Sequence, residues 1–292
     1  MKEKVGLIGF GIMGEAIARC LINNDYAVVV FDPSSTAIEN AQSLGCTVGK
    51  APNDVSEQVG TVIMSLPNPE HVKEVVRDRN TGLLVGASKG STIVDTSPVD
   101  PATSKENSEI CYTKGIGYLD CPVLGRPSGY GNWTLPTGGR VNDLERVRPI
   151  LSTFASNIVS VGECGQGNLV KLLNNLMFGA INSITCEVFS LCRKADMDEN
   201  LFFETIANSG AGTVSNLFKE LGPKIIAGDF SPVFSIDNLH KDVELGISLA
   251  KKLEIELKVS EVGQKLNSAA KKANLGKKDT AAVVEMYEKW PL

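Results

Sequence analysis

The chain has 292 residues, of which 42% are hydrophobic and 22% charged, with a formal net charge of −5. This length predicts about two globular domains, while the lack of a basic tract argues against nucleic acid and the lack of an apolar run of spanning length argues against a membrane partner. The seven cysteines are scattered and lack metal-ligand spacing, which favours free thiols and no bound metal. No signal-peptide pattern occurs at Met1–Lys4, so a cytoplasmic location is expected.

The chain opens with a strand, a glycine-rich turn and a helical pattern. A strand is predicted at 4–9, the turn Gly9-Phe10-Gly11-Ile12-Met13-Gly14 follows directly, and the next strand, 27–31, ends at Asp32. Glycines here permit a tight turn and let backbone N–H groups approach a pyrophosphate, while an acid about 20 residues on can bind the ribose 2′-OH. This segment therefore predicts a dinucleotide site, and NAD is favoured over NADP because Asp32 would repel a 2′-phosphate.

Further strands are predicted at 61–66, 91–95, 117–119 and 158–161, with helical stretches between them. This alternation predicts an α/β fold with a Rossmann-type, doubly wound, mostly parallel sheet over residues 1–163. Ligands of such sheets bind at the carboxyl ends of the strands. Leu66 ends and Pro67 follows one of these strands, and Ser97 lies just after the next. The composition of both segments suits a turn as well as a ligand contact.

Residues 120–139 are rich in glycine and proline and contain Arg126. Backbone N–H groups of such a loop can bind a carboxylate, and an arginine fork can hold an anion through two hydrogen bonds. From spacing alone, a surface loop with a solvated Arg126 is slightly favoured.

After residue 162 the strand patterns stop. A long apolar helix is predicted from 167 to about 193, with further helices at 199–207, 214–221, 236–253 and 259–273. These segments predict an all-helical domain over residues 164–292, joined to the first domain by the long helix. The helix at 236–253 carries Lys241 and Asp242, and an amphipathic helix normally exposes such a charged pair.

On the long helix, Lys171, Asn174 and Asn175 share one face with Gly167. Gly167 has no side chain, so it is expected to leave room on this face for an approaching ligand. Burial disfavours the charged form of a lysine, so Lys171 can act as an acid and a base near neutral pH. The alternative is a lysine that reaches solvent from a packed helix. Small-molecule sites often lie between domains, and the long helix begins at the predicted junction.

Four motifs follow one another along the chain. They are the Gly-x-Gly-x-x-Gly turn with Met13 inside it, Asp-x-Pro-Val at 120–123, Gly-x-x-x-Lys-x-x-x-Asn at 167–175, and the Lys-Asp pair at 241–242. In this order they resemble the 3-hydroxyisobutyrate dehydrogenase family, the β-hydroxyacid dehydrogenases related to 6-phosphogluconate dehydrogenase. The resemblance extends to the segment 279–284 and so covers almost the whole chain.

The resemblance implies NAD(P)-dependent hydride transfer between a small hydroxy acid and its semialdehyde or keto form, in a homodimer or homotetramer whose helical domains pack together. It implies that Lys171 is the catalytic acid and base. It also implies two sets of binding residues: for the substrate Val123, Leu124, Gly125, Arg126, Asn174 and Asn175, and for the cofactor Gly9, Phe10, Gly11, Ile12, Met13, Asp32, Leu66, Pro67, Ser97, Phe234 and Lys241.

Two departures from the family pattern concern the ligands. Where the family commonly has Ser-Gly-Gly after Pro-Val, this chain has Leu124-Gly125-Arg126, which removes a hydroxyl and adds a guanidinium. Pro98 replaces a threonine that usually contacts the cofactor, which leaves Ser97 as the nearest hydroxyl. The first departure predicts a substrate other than hydroxyisobutyrate, with a second or larger anion bound by Arg126.

Three alternatives to this function differ in what they require. An imine reductase shares a related fold, but that group usually has an acid or tyrosine in place of Lys171. Authentic 6-phosphogluconate dehydrogenase would need a much longer helical domain. A non-catalytic dinucleotide sensor would not need Lys171 and Asn175.

Overall fold

The computed structural model describes residues 4–289, and within them the chain forms one sheet followed by a helical region. The strands are β1 (Lys4–Ile8), β2 (Ala27–Phe31), β3 (Thr47–Val48), β4 (Thr61–Met64), β5 (Thr92–Asp95), β6 (Gly117–Asp120), β7 (Trp133–Gly139) and β8 (Ala155–Gly162). The helices between the strands are α1 (Ile12–Asn23), α2 (Ser35–Ser43), α3 (Pro52–Glu57), α4 (Pro69–Arg77), α5 (Leu83–Gly86), α6 (Pro101–Thr113) and α7 (Val141–Leu151).

The helical region follows β8 without a further described strand up to residue 289. Its helices are α8 (Gln166–Lys194), α9 (Glu199–Ala207), α10 (Asn216–Ala227), α11 (Ile236–Lys252), α12 (Lys258–Lys272) and α13 (Val284–Lys289). The chain divides into two compact units at Lys171/Leu172, inside α8. The sequence predicted the domain boundary at 163/164, just before the same helix.

The described strands form one sheet in the order β3-β2-β1-β4-β5-β6-β7-β8, so the predicted doubly wound sheet is confirmed. Neighbouring strands from β3 to β6 are parallel, β6 and β7 are antiparallel, and β7 and β8 are parallel to each other. β4 and β5 are buried throughout, as expected for strands covered on both faces. The order reverses between β1 and β4, which places a crevice for ligands at the carboxyl ends of these strands.

Strand β7 was not predicted, because its residues were assigned to the glycine- and proline-rich loop. It pairs with β6 through Leu119↔Gly139 and Asp120↔Gly138, and with β8 over most of its length. Pairing with two neighbours stabilises a strand whose own composition does not favour one. The predicted loop is therefore much shorter than expected, and Arg126 lies in the part before β7. The two-residue edge strand β3 was also missed.

Helix α8 passes the length and composition test for a membrane span, so the expectation that no apolar run reaches that length is wrong. Of the 18-residue apolar stretch of this helix, 44% is buried within the protein. One helix of this kind is weak evidence for a membrane, since the core helix of a globular unit meets the same criteria. In the helical unit, Phe189 on α8 packs edge-on against Phe202 and lies beside Phe218, at the centre of a core cluster.

Candidate active site

The glycine fingerprint forms the turn between β1 and α1. Gly9 has φ +91°, and a Cβ there would overlap the Ser65 carbonyl oxygen, while a Cβ on Gly14 would overlap the Gly9 carbonyl oxygen. These two glycines therefore allow β1, α1 and the loop after β4 to pack closely. A Cβ on Gly11 would meet nothing within 4 Å. This open space at the N-terminus of α1 fits a phosphate group that approaches the backbone N–H groups of the first turn.

Asp32 is held at the end of β2, opposite the fingerprint. Its Oδ2 accepts the Phe10 N–H at 2.7 Å and its Oδ1 accepts the Ser34 N–H at 2.8 Å. Each carboxylate oxygen has further acceptor capacity, which suits a ribose hydroxyl. The side chain of Ile12 is exposed and that of Met13 is half-buried. The structure thus brings the predicted residues of the first motif together around one turn, and they fit the cofactor in composition and placement.

The loops after β4 and β5 are tied to each other. The Ser97 hydroxyl accepts the Leu66 N–H at 2.9 Å, and the Thr96 hydroxyl donates to the Met64 carbonyl oxygen at 2.7 Å. Ser97 is buried, Leu66 is half-buried and Pro67 is exposed. Ser97 therefore shapes the Leu66 loop through its hydroxyl, whereas Pro67 presents a surface at the end of β4.

Beneath these loops, the buried carboxylate of Asp95 accepts the Ser97 N–H at 2.9 Å and the Tyr118 hydroxyl at 2.8 Å. Burial raises the pKa of Asp95 to about 6, and these hydrogen bonds act in the opposite direction. Burial also raises the pKa of Tyr118 well above its ordinary value, so this phenol remains a donor. The pair anchors the start of the loop that follows β5.

The segment after β6 is ordered by contacts with β7. Leu124 pairs with Thr134 in an isolated antiparallel bridge, and the Trp133 indole N–H donates to the Arg126 carbonyl oxygen at 2.7 Å. Gly125 has φ +156°, and a Cβ there would overlap the Trp133 ring. Arg126 is half-buried. The segment is thus a surface loop, with Ser128 and Tyr130 exposed, whose backbone is held by Trp133 and by the bridge.

Lys171, at the start of α8, lies beside this segment. The Lys171 amine donates to the Val123 carbonyl oxygen at 2.8 Å, and the lysine side chain is half-buried. Gly167, one turn earlier on α8, has a different role from the one expected. A Cβ there would overlap the Asp120 carbonyl oxygen and lie 2.6 Å from that of Pro136. Gly167 thus allows the helix to approach β6 and β7 and does not provide space for a ligand.

Asn175 belongs to the helical unit and is tied to the Lys-Asp motif. Its Nδ2 donates to Asp242 Oδ2 at 2.9 Å, and its Oδ1 accepts from the exposed Asn174 at 3.2 Å. Asp242 is only 2% exposed, and its Oδ1 lies 3.1 Å from the Lys241 amine. The expectation that α11 exposes both charges is therefore wrong for Asp242, because this carboxylate faces α8. Asp242 fixes the orientation of the Asn175 amide.

Phe234 lies before α11 in the helical unit. Its ring packs edge-on against Phe178, with 5.6 Å between the ring centroids, and its carbonyl oxygen accepts the Thr280 N–H at 3.0 Å. The contacts of Phe234 and Lys241 with a nicotinamide stay predictions from the resemblance.

The sequence alone did not assign a role to Asp120, Asp242 or Trp133. Both aspartates belong to the motifs named above, but their roles follow from their burial and from hydrogen bonds to residues far away along the chain.

All seven cysteines are free thiols. Among residues 4–289, no three His, Cys, Asp or Glu side chains are grouped so that they could hold a metal ion.

Two protein-domain families together match nearly the entire chain. Residues 4–162 match the NAD binding domain of 6-phosphogluconate dehydrogenase, and residues 165–287 match the NAD-binding domain of NADP-dependent 3-hydroxyisobutyrate dehydrogenase. The chain belongs to the 3-hydroxyisobutyrate dehydrogenase family. This member is therefore an oxidoreductase that uses a nicotinamide dinucleotide, in agreement with the fingerprint geometry.

Relatives and solved structures agree with this family. The chain is 29% identical to the 3-sulfolactaldehyde reductase of Escherichia coli K12, over 96% of this chain and 94% of the relative. It is 29% identical to the 2-(hydroxymethyl)glutarate dehydrogenase of Eubacterium barkeri, over 98% and 95%. A crystal structure of 3-hydroxyisobutyrate dehydrogenase from Salmonella typhimurium has the same fold, with a TM-score of 0.88 at 23% identity and coverage of 98% and 100%.

Imine reductases are more distant in structure. The enzyme from Myxococcus stipitatus, solved with NAD+, has a TM-score of 0.60 at 17% identity, with coverage of 99% of this chain and 100% of that one. At this identity the likeness shows a shared fold alone. The dehydrogenase assignment is thus preferred over the imine reductase alternative.

Proposed function

We propose that this dehydrogenase interconverts a small anionic 3-hydroxy acid and its semialdehyde, with Lys171 as the general acid and base. The observation that carries the proposal is the 2.8 Å hydrogen bond from the half-buried Lys171 amine to the Val123 carbonyl oxygen. This bond holds the amine at the segment 123–126, which the family resemblance assigns to the acid group of the substrate. A proton carrier and an anion-binding loop are thus joined in one unit of the protein.

The residues perform the proton chemistry and the positioning. In oxidation, neutral Lys171 takes the proton of the substrate hydroxyl, and in reduction it returns that proton to the developing alkoxide. A bound nicotinamide supplies hydride transfer to or from the same substrate carbon. Backbone N–H groups near Gly125 hold the first acid group and the Arg126 guanidinium holds a second one. The family resemblance assigns Asn175, whose amide is oriented by Asp242, to substrate binding. Much of the rate is expected from such positioning.

Asn175 and its partner Asp242 also weigh against the sensor alternative. A protein that only binds a dinucleotide has no need for a buried amide oriented by a buried carboxylate. Asn175 is 4% exposed and Asp242 is 2% exposed, so keeping this polar pair inside the helical unit has a desolvation cost that its hydrogen bond offsets. A binding or catalytic role explains why such a pair is retained.

The proposed cofactor is NAD. The Asp32 carboxylate is held by the Phe10 and Ser34 N–H groups, and an acid at this distance after the glycine turn can accept a hydrogen bond from a ribose 2′-OH. A 2′-phosphate there would meet a negative charge, and no Lys or Arg occurs between Pro33 and Ala37 to compensate for it. The ribose hydroxyls of NAD need only the acceptor that Asp32 supplies.

The proposed substrate carries a second acid group. Arg126 is half-buried, and the Trp133 indole holds its backbone, so the point from which its side chain extends is fixed. Two relatives are named for a sulfonated aldehyde and for a hydroxymethyl derivative of glutarate. These names fit a loop with an arginine in place of a serine. A carboxylate, a sulfonate or a phosphate would each satisfy the same guanidinium fork.

A substrate screen with both cofactors tests this function. Purified protein is assayed with NAD and NADP against 3-hydroxy acids that carry one acid group, among them serine and hydroxybutyrates, and against analogues with a second carboxylate, sulfonate or phosphate. We expect the highest kcat/KM for a substrate with two acid groups, and a preference for NAD of at least about tenfold, since the Asp32 charge opposes a 2′-phosphate.

The screen also separates the alternatives. Absence of any reduced cofactor across the panel, together with saturable NADH binding, would support the sensor instead of the dehydrogenase. A higher kcat/KM with NADP would overturn the cofactor assignment alone.

A homo-oligomer is part of the same proposal. Leu173, Met177, Ile184 and Leu191 on α8 are each more than half exposed, and their spacing of four, seven and seven residues places them on one face of the helix. Exposed apolar stripes of this kind mark association surfaces. The proposed occupant is the same helix of a second chain, since a two-fold axis brings one such stripe against its copy.

We expect the double variant Ile184→Glu/Leu191→Glu to be a monomer, because two buried charges per chain would be unpaired in the interface. Val141→Glu, which changes an exposed apolar residue of the sheet unit, serves as the matched control and keeps the wild-type mass. Light scattering after gel filtration measures the masses. A double variant with the wild-type oligomeric mass would show that this face is not the interface.

A further inference from the structure

The N-terminus of α8 is held by a carboxylate from the end of β6. Asp120 is fully buried, its Oδ1 accepts the Gly165 N–H at 2.8 Å, and its Oδ2 accepts the Asn168 N–H at 2.8 Å. The N–H groups of a first helical turn have no partner within the helix, and the helix dipole favours a negative charge there. Asp120 therefore caps α8 from a different element, 45 residues earlier than Gly165 along the chain.

Close packing accompanies this cap. Gly167 lies between the two residues that Asp120 binds, and a Cβ on it would overlap the Asp120 carbonyl oxygen. A Cβ on Gly138 of β7 would overlap the Asp120 carboxylate. Two glycines are thus needed for the helix to reach the carboxylate. These close contacts fix the first turn of α8 against β6 and β7. A displacement of the Asp120 carboxylate or of the β6 backbone would therefore displace this helical turn.

A second polar side chain locks the same turn. Asn168 is fully buried, its Oδ1 accepts the Val99 N–H at 3.1 Å, and its Nδ2 donates to the Ser104 hydroxyl at 3.0 Å. The Asn168 N–H is bound by Asp120, and the Asn168 side chain is bound by Val99 and by Ser104 in the first turn of α6. This residue is one turn before Lys171, so the rotation of α8 that presents the lysine is set here.

The segment Asp120–Val123 thus contacts α8 twice. At one end the Asp120 carboxylate binds the helix N-terminus, and at the other end the Val123 carbonyl oxygen accepts the Lys171 amine. We propose that Asp120 is a positioning residue, which places the Lys171 amine at the substrate loop by fixing the start of α8. The inference rests on the proposed function of Lys171.

The charge of Asp120 matters for this role. Burial raises the pKa of Asp120 to about 6, while the hydrogen bonds from Asn168 and Gly165 favour the ionised form. Near neutral pH the side chain is thus a carboxylate with two acceptor oxygens. An amide in its place keeps the size but turns one acceptor into a donor, which would face a backbone N–H of the helix. Asp120→Asn therefore removes one of the two contacts with little change in volume.

The first test compares Asp120→Asn with Asp143→Asn, a buried aspartate of α7 in the same unit that lies 3.2 Å from Arg146. The measurements are kcat per cofactor-binding site, the Kd for cofactor, and amide hydrogen exchange in the peptide 163–171. For Asp120→Asn we expect kcat per site to fall at least about tenfold, since a small displacement of a catalytic group costs up to about 10²-fold. We expect its cofactor Kd to stay near wild type and exchange in the peptide to rise. Asp143→Asn should leave all three near wild type.

A second variant covers the case in which Asp120→Asn does not fold. Gly167→Ala keeps the carboxylate and pushes the first turn away from β6, so it should reproduce the loss in kcat and the faster exchange. Gly179→Ala on the same helix is its control, because a Cβ there would meet only a methyl group of Val243, at 3.1 Å. We expect the control to keep wild-type kcat.

The results separate this inference from the function on which it rests. Wild-type kcat per site in Asp120→Asn, or unchanged exchange in 163–171, beside an inactive Lys171→Ala would overturn the positioning role and leave the function standing. An active Lys171→Ala would overturn the function itself.

Discussion

Lys171→Ala is expected to abolish measurable turnover while the protein still binds NADH. The Lys171 amine is the proposed proton carrier, and loss of a general acid and base lowers kcat by about 10²- to 10⁴-fold. Cofactor binding should survive, because the Asp32 carboxylate is held by the Phe10 and Ser34 N–H groups, whereas the Lys171 amine is bonded to the Val123 carbonyl oxygen. Steady-state assays with the best substrate and fluorescence titration with NADH measure the two properties.

Two further variants sharpen this result. Lys171→Arg keeps a cation at the same place but does not release its proton, so it should be nearly as inactive as the alanine variant. Lys194→Ala removes an exposed lysine at the far end of the same helix and should keep wild-type kcat. Residual activity above about a tenth of wild type in Lys171→Ala would be too high for the loss of an essential proton carrier.

Arg126→Ala is expected to reduce kcat/KM for a substrate with two acid groups by about 10- to 150-fold. This range corresponds to a charge-assisted hydrogen-bonded pair of about 1.5–3 kcal/mol. For a substrate of similar length with one acid group, kcat/KM should change much less, because the guanidinium has no second anion to bind. The difference between the two substrates in the same variant is the decisive measurement.

Two control variants separate the effect of the Arg126 charge from that of its planar guanidinium and from a general effect of losing an arginine. Arg126→Lys keeps the charge without the planar fork, so it should retain part of the preference for two acid groups. Arg148→Ala removes a half-buried arginine of α7 that pairs with Glu145, and it should leave kcat/KM for both substrates unaffected. A loss below about threefold for Arg126→Ala, or equal losses for both substrates, would contradict recognition of a second anion by Arg126.

Local features of the sequence were sufficient for the first half of the fold. The turn at Gly9 could be predicted because strand, glycines and helix are contiguous, and Asp32 lies at a fixed distance along the chain. The parallel sheet followed from alternating apolar runs and helical patterns. Helix α9 was predicted with its observed bounds, Glu199–Ala207, and the Asp198 carboxylate accepts N–H groups of its first turn.

Elements whose stability comes from distant neighbours were not predictable in this way. Strand β7 contains Pro136, Gly138 and Gly139, which disfavour a strand locally, yet pairing with β6 and β8 on both sides determines its conformation. The role of Gly167 was misassigned for the same reason. Spacing on a helix shows which residues share a face but not which carbonyl oxygens that face meets.

The sequence by itself determined the family, the Rossmann-type sheet with its helical partner region, the fingerprint and the four ordered motifs, because each is encoded by residues close together in the chain. Only the tertiary structure decided that Asp120 caps α8, that Asp242 is buried against Asn175, and that Trp133 orders the segment bearing Arg126. Hydrogen bonds between residues far apart in the chain depend on how strands and helices pack, and no local pattern contains that information.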